Sequence, residues 1–176
     1  MDGSYFIRDL IRQMNSILKS RKIDALVLIS WSNDLTDESK CPVQLAFDLF
    51  EIGQYAIHGF GVKSVIFVQA IRRYKCRGMS SHEFESRVKK FNKQLNDLCT
   101  DSKYRSRVIS MKGFWRNEDN SIKGVDEFAE DGIHPGSFSN KRGTDTDSTS
   151  FKKLKTNVRR AFIAGIGHMK ARQRYF

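Results

Sequence analysis

A single three-layer α/β domain, a parallel sheet packed between helices, is what these 176 residues predict. Three observations lead to it. Residues 25–29 (ALVLI) form an unbroken apolar run rich in branched side chains and too short for a buried helix. A strand covered on both faces reads this way. Segments with apolar side chains at helical spacing alternate with this run and with later strand-like ones, which is the order of βαβ units. The run ends abruptly in Ser30-Trp31-Ser32-Asn33-Asp34, a polar loop at the place where open α/β sheets put their sites. An ordinary strand-to-helix turn, with Asn33 or Asp34 capping the next helix, accounts for the same loop.

In chain order, residues 5–19 carry Ile7, Leu10, Ile11, Met14, Ile17 and Leu18 as one helical stripe. The first strand covers residues 23–30. Pro42 suits the first turn of a second helix, whose inner face is Ala46, Leu49, Phe50, Gly53 and Ile57, with Gly59 and Gly61 ending it. Residues 62–68 (VKSVIFV) are the second strand, followed by a basic loop over residues 72–77. Ser80 with Glu83 three residues on forms a capping box. The helix it opens shows Phe84, Val88, Phe91, Leu95 and Leu98 at helical spacing. Residues 107–111 make a short third strand and residues 112–130 a loop. A stretch rich in Gly, Ser, Asn, Thr and Asp covers residues 136–150. The last helix starts near Phe151, with Phe151, Leu154, Val158, Phe162 and Ile166 inward.

The chain is long enough to bury a sizeable core. No apolar run approaches the roughly 20 residues of a membrane helix, and the amino terminus lacks the pattern of a secretory signal. Three widely spaced cysteines, Cys41, Cys76 and Cys99, read as free thiols in a reducing, cytoplasmic setting. Neither they nor the histidines have metal-ligand spacing, so no metal or other cofactor is expected. The net charge is +11. Residues 151–176 hold eight basic residues and no acidic one; the remaining 23 of the 31 basic residues face all 20 acidic ones, leaving +3 on residues 1–150. A domain over residues 1–167 with a basic tail over 168–176 follows, and the tail suits weak, salt-sensitive contact with a polyanion.

Asp131 and His134 stand three apart before Pro135. A carboxylate beside an imidazole fixes the ring tautomer and stabilises the imidazolium, which makes the histidine a usable general base. Asn33 offers an amide donor suited to an oxyanion hole. Each signal is weak alone. Together, on strand-end loops of one sheet and in this order, they are stronger.

At these residues the chain resembles the SGNH (GDSL-type) hydrolases, from Gly3 to about Phe162. Trp31-Ser32-Asn33-Asp34 is similar to the family's Gly-x-Asn-Asp block, and Asp131-Gly132-Ile133-His134 to its Asp-x-x-His block. The helix with Phe91-Asn92-Lys93-Gln94-Leu95-Asn96 resembles the family's N-x-x-L helix. The resemblance implies that Asn33 is an oxyanion donor, that His134 is the base with Asp131 orienting it, and that the backbone N–H of Gly3 also faces the oxyanion. It implies a flavodoxin-like sheet. Two departures stand out. Trp31 occupies the position of the block glycine. The Gly-Asp-Ser block with the nucleophile occurs nowhere in these residues, and Asp2-Gly3-Ser4 has the letters in another order. Ser4 directly precedes a helix, a poor setting for a fixed nucleophile.

The reading that follows is the carboxyl-terminal two-thirds of an SGNH-type esterase without its first strand. Full-length relatives would hydrolyse an ester through a serine acyl-enzyme, and this chain would be inactive. The competing class is a non-enzymatic binding module whose basic carboxyl-terminal helix contacts nucleic acid or another polyanion. With the first strand missing, residues 25–29 would lie at or next to an open sheet edge, available for self-association.

Overall fold

In a computed structural model of the chain, residues 5–28, 33–70, 73, 76, 78–111, 159, 163, 165–167, 170 and 171 are described, with the backbone alone for 5–9. The order is α1 (Tyr5–Lys19), β1 (Ala25–Leu28), a 3-10 turn (Asp34–Thr36), α2 (Pro42–Phe60), β2 (Ser64–Val68), α3 (Ser81–Asp101) and β3 (Val108–Met111). The strands form a parallel sheet in the order β1-β2-β3. Ala25 lies opposite Ser64 and Leu28 opposite Phe67; Val65 lies opposite Val108 and Val68 opposite Met111. The α/β class with a parallel sheet is therefore present.

Alternation along the strands divides the core between the two faces of the sheet. Leu28, Val65, Phe67 and Val108 belong to one large cluster with Met14 and Leu18 of α1, Leu49, Phe50 and Ala56 of α2, and Phe84, Phe91 and Leu95 of α3. The opposite face carries Val27, Ile66, Ile109 and Met111, covered by Ile166. Gly165 sits so close that an added Cβ would stand 2.9 Å from Ile66 Cδ1. Helices α1, α2 and α3 thus share one face, and residues 165–166 lie on the other. Right-handed crossovers through adjacent strands in the order β1-β2-β3 put α2 and α3 on one face, as found.

The local signals explain the element ends. Pro42 is at the first turn of α2. Gly61 closes it at φ 67°, where a side chain would be strained. Gly59 does not end the helix, contrary to the sequence expectation: it lies inside α2, and the left-handed residue two positions later makes the stop. Ser80 caps α3, its Oγ accepting from Glu83 N at 3.1 Å. Two further expectations narrow. Ile17 is 53% exposed, because it falls at the margin of a stripe whose buried centre is Met14 and Leu18. The first strand begins at Ala25 and not at Ile23, and the second at Ser64 and not at Val62. Val62 is buried, yet it serves the turn out of α2: its N–H donates to Ala56 O at 3.2 Å.

Of the expected last helix, residues 159, 163, 165–167, 170 and 171 are helical; Phe151, Leu154, Val158 and Phe162 lie outside the described residues. Arg159 and Lys170 are exposed. Among the described residues, no helix is long and apolar enough to cross a membrane.

Candidate functional site

The carboxyl ends of parallel strands form one rim, and two loops meet there. Asn33 follows β1 and opens the 3-10 turn at φ −72°, ψ −44°. Its carbonyl accepts from Thr36 N at 3.1 Å and from Thr36 Oγ1 at 2.7 Å. Asn33 holds the N-cap position of the turn through its carbonyl, and its side chain makes no capping hydrogen bond. Arg73, from the loop after β2, donates from Nη2 to Asn33 Oδ1. Arg73 is only 5% exposed and Asn33 is exposed. The guanidinium also stands over the ring of Phe84, 5.6 Å from its centroid, a cation–π arrangement strengthened by burial.

Helix α3 holds both loops. Toward the β2 loop, Asn92 accepts from Ala70 N at 2.7 Å and donates from Nδ2 to Ala70 O at 3.0 Å. This paired contact fixes the backbone three residues ahead of Arg73. Toward the β1 loop, Arg87 donates from Nε to Leu35 O at 2.9 Å and from Nη2 to Asp37 O at 2.6 Å, and it also reaches Lys40 O. A guanidinium presents a rigid fan of donors, and here it meets three carbonyls of one loop. Inside that loop, buried Asp34 pairs with Lys40. Beyond the rim residues, Gln69 ties β2 to β3, donating from Nε2 to Ser110 Oγ at 3.1 Å.

Among the described residues, Arg73 and Arg87 bring two guanidinium groups to this rim, beside the pair that buried Asp34 makes with Lys40. A buried guanidinium backs an exposed neutral amide, an arrangement suited to an oxygen that carries or develops negative charge. Cys76 lies in the same loop as Arg73. Burial pushes its thiol above the ordinary range, and the positive charge of Arg73 opposes that shift without reversing it. Among the described residues there is no cluster of three or more His, Cys, Asp or Glu that could hold a metal ion. His58 is at the other end of the sheet, with Nε2 2.7 Å from Tyr104 Oη.

Of the residues singled out from the sequence, Asn33 is on the rim. Gly3, Ser4, Trp31, Asp131 and His134 lie outside the described residues. Sequence reasoning missed Arg87, treated Arg73 only as part of a basic loop, and named Asn92 only through the N-x-x-L resemblance. A signal was present. Arg87 and Asn92 border the apolar stripe Phe84, Val88, Phe91 and Leu95, and polar groups set beside a buried face need partners. No protein-family model matches the chain, and no curated protein matches it.

Proposed function

We propose that the chain is an SGNH-hydrolase-like domain whose strand-end rim is the oxyanion side of an ester-hydrolysing site. In this reading Asn33 Nδ2 and the Gly3 N–H donate to the oxyanion, His134 is the general base and Asp131 orients it. A serine hydroxyl would attack the ester carbonyl, giving its proton to His134 while the carbonyl oxygen gains charge beside Asn33. The family takes that serine from Gly-Asp-Ser, which these 176 residues do not contain. They are therefore assigned the base, its acid and the oxyanion donors, and no turnover of their own.

One observation carries the reading: Asn33, at the end of β1, presents an exposed amide that is tethered by a buried Arg73 and makes no capping hydrogen bond. The topology supports it. Helices α1, α2 and α3 pack on one face, residue 166 on the other, and among the described residues β1 pairs on one side only. A flavodoxin-like SGNH sheet would place its serine-bearing strand at that side.

The test is binding of butyrate, the carboxylate released from a short acyl ester, followed by nitrogen–proton correlation NMR. Shifts concentrated at the Asn33 side-chain amide and the backbone N–H groups of Ala70 and Arg73, without turnover of butyryl esters, are the expected result. Shifts that avoid all three groups would remove the assignment.

A further inference from the structure

We propose that Arg73 is a positioning residue: it fixes which end of the Asn33 amide faces the rim and strengthens that end as a donor. The inference deepens the reading of Asn33 as an oxyanion donor and rests on it.

A carboxamide has two ends of nearly equal shape and opposite hydrogen-bonding sense. An oxyanion site works only with the NH2 end outward. An exposed asparagine on a loop has no intrinsic reason to keep that end there. Arg73 supplies the reason. A guanidinium has donors and no acceptor, and it stays protonated at any physiological pH. Its partner on Asn33 must therefore be Oδ1, as found. The reversed amide would set N–H against N–H, a contact between two donors in a buried place. The orientation thus follows from hydrogen-bond chemistry and not from how the two amide ends are labelled.

The tether is itself held. Arg73 is buried, and it stacks on Phe84, which is fully buried in the first turn of α3. Ser80 caps that turn. Ala70, three residues upstream, is clasped by Asn92. On the other side, the Asn33 carbonyl is engaged by Thr36, and Arg87 holds the carbonyls of Leu35, Asp37 and Lys40. Neither partner can drift far without breaking several contacts to one helix.

The cation also acts through the amide. Positive charge at Oδ1 draws electron density toward oxygen along the conjugated group, leaving the Nδ2 protons more positive. A hydrogen bond to a charged donor polarises the next one in a chain in this way. A donor already aimed and polarised needs no reorganisation as charge develops on a substrate oxygen.

The experiment reads the Asn33 Nδ2 protons by NMR in the intact chain, assigned through an Asn33→Asp variant. In Arg73→Met the pair is expected to move upfield and lose its separation, while the backbone signals of β1 and β2 stay in place. Butyrate binding is expected to weaken about tenfold, the worth of one charge-assisted contact. Arg73→Lys keeps the charge without the planar fork, so its Nδ2 shift falls between wild type and Arg73→Met and its butyrate affinity is partly restored. If Arg73→Met does not fold, Arg73→Lys decides alone. Nδ2 signals unchanged in the folded variants would overturn the proposal. Signals that respond to Arg73 but not to butyrate in the wild type would keep Arg73 as a positioning residue and remove the oxyanion reading.

Discussion

Asn92 shows how much of the rim depends on single polar side chains. It satisfies both backbone groups of Ala70, at 2.7 and 3.0 Å, at a point where the chain has left the β2 ladder and needs other partners. Asn92→Ala removes two hydrogen bonds and leaves the Ala70 groups without them. A loss of about 2 kcal/mol is expected, from two bonds of roughly 1 kcal/mol each. Urea unfolding of the variant checks it; a loss within about 0.5 kcal/mol, the usual size of a neutral surface change, would show that the contact does not hold the loop. At this scale the sequence was partly readable. Asn33 stood out because a polar loop closed an apolar run. Arg73 did not, because a basic loop on a basic chain looks like solvated charge, and only the fold reveals that this arginine is buried against Phe84.

Between elements, β2 packs closely on α2. Phe67 of β2 lies against α2, with its ring 6.0 Å from that of Phe50 and its tip filling the space a Cβ on Gly53 would need. Gly53→Ala gains about 1 kcal/mol in helix propensity but forces the ring of Phe67 aside, and overpacking costs typically 1–3 kcal/mol. The variant is expected to be destabilised by about 1 kcal/mol, and Gly53→Ala with Phe67→Leu to show less than the sum of the two separate losses. Thermal melts of the three variants check this; additive losses would mean that residues 53 and 67 do not compete for one space. The helices were legible through Pro42, Gly61 and the Ser80–Glu83 cap, since those signals are local. The strand ends were not. An apolar run marks what is buried, and it does not mark where parallel pairing stops: Val62 is buried outside β2, and Ile23 packs on the core before β1 begins.

For the molecule as a whole, alternating helix and strand patterns were enough to anticipate a parallel sheet, because crossover connections between strands in one sheet leave few alternatives. The order β1-β2-β3, with α2 and α3 on one face, matches that logic. Of the candidate site residues, only Asn33 falls among those described. Asn33 is a strand-end residue, and its place follows from β1. Asp131 and His134 lie outside the described residues, and the sequence around them shows no helical or strand periodicity from which their place could be read. The proposed function requires Asn33 and the Asp131–His134 pair to share one rim. The most direct measurement is a pH titration by NMR of the His134 ring protons together with the Asn33 Nδ2 protons, in the wild type and in His134→Gln. Histidine changes charge between about pH 5 and 8, and a new positive charge across a rim shifts a nearby donor. The Asn33 signals are expected to move with the His134 midpoint and to stop moving in His134→Gln. Asn33 signals that stay flat while His134 titrates would place the two residues apart and contradict the proposed function.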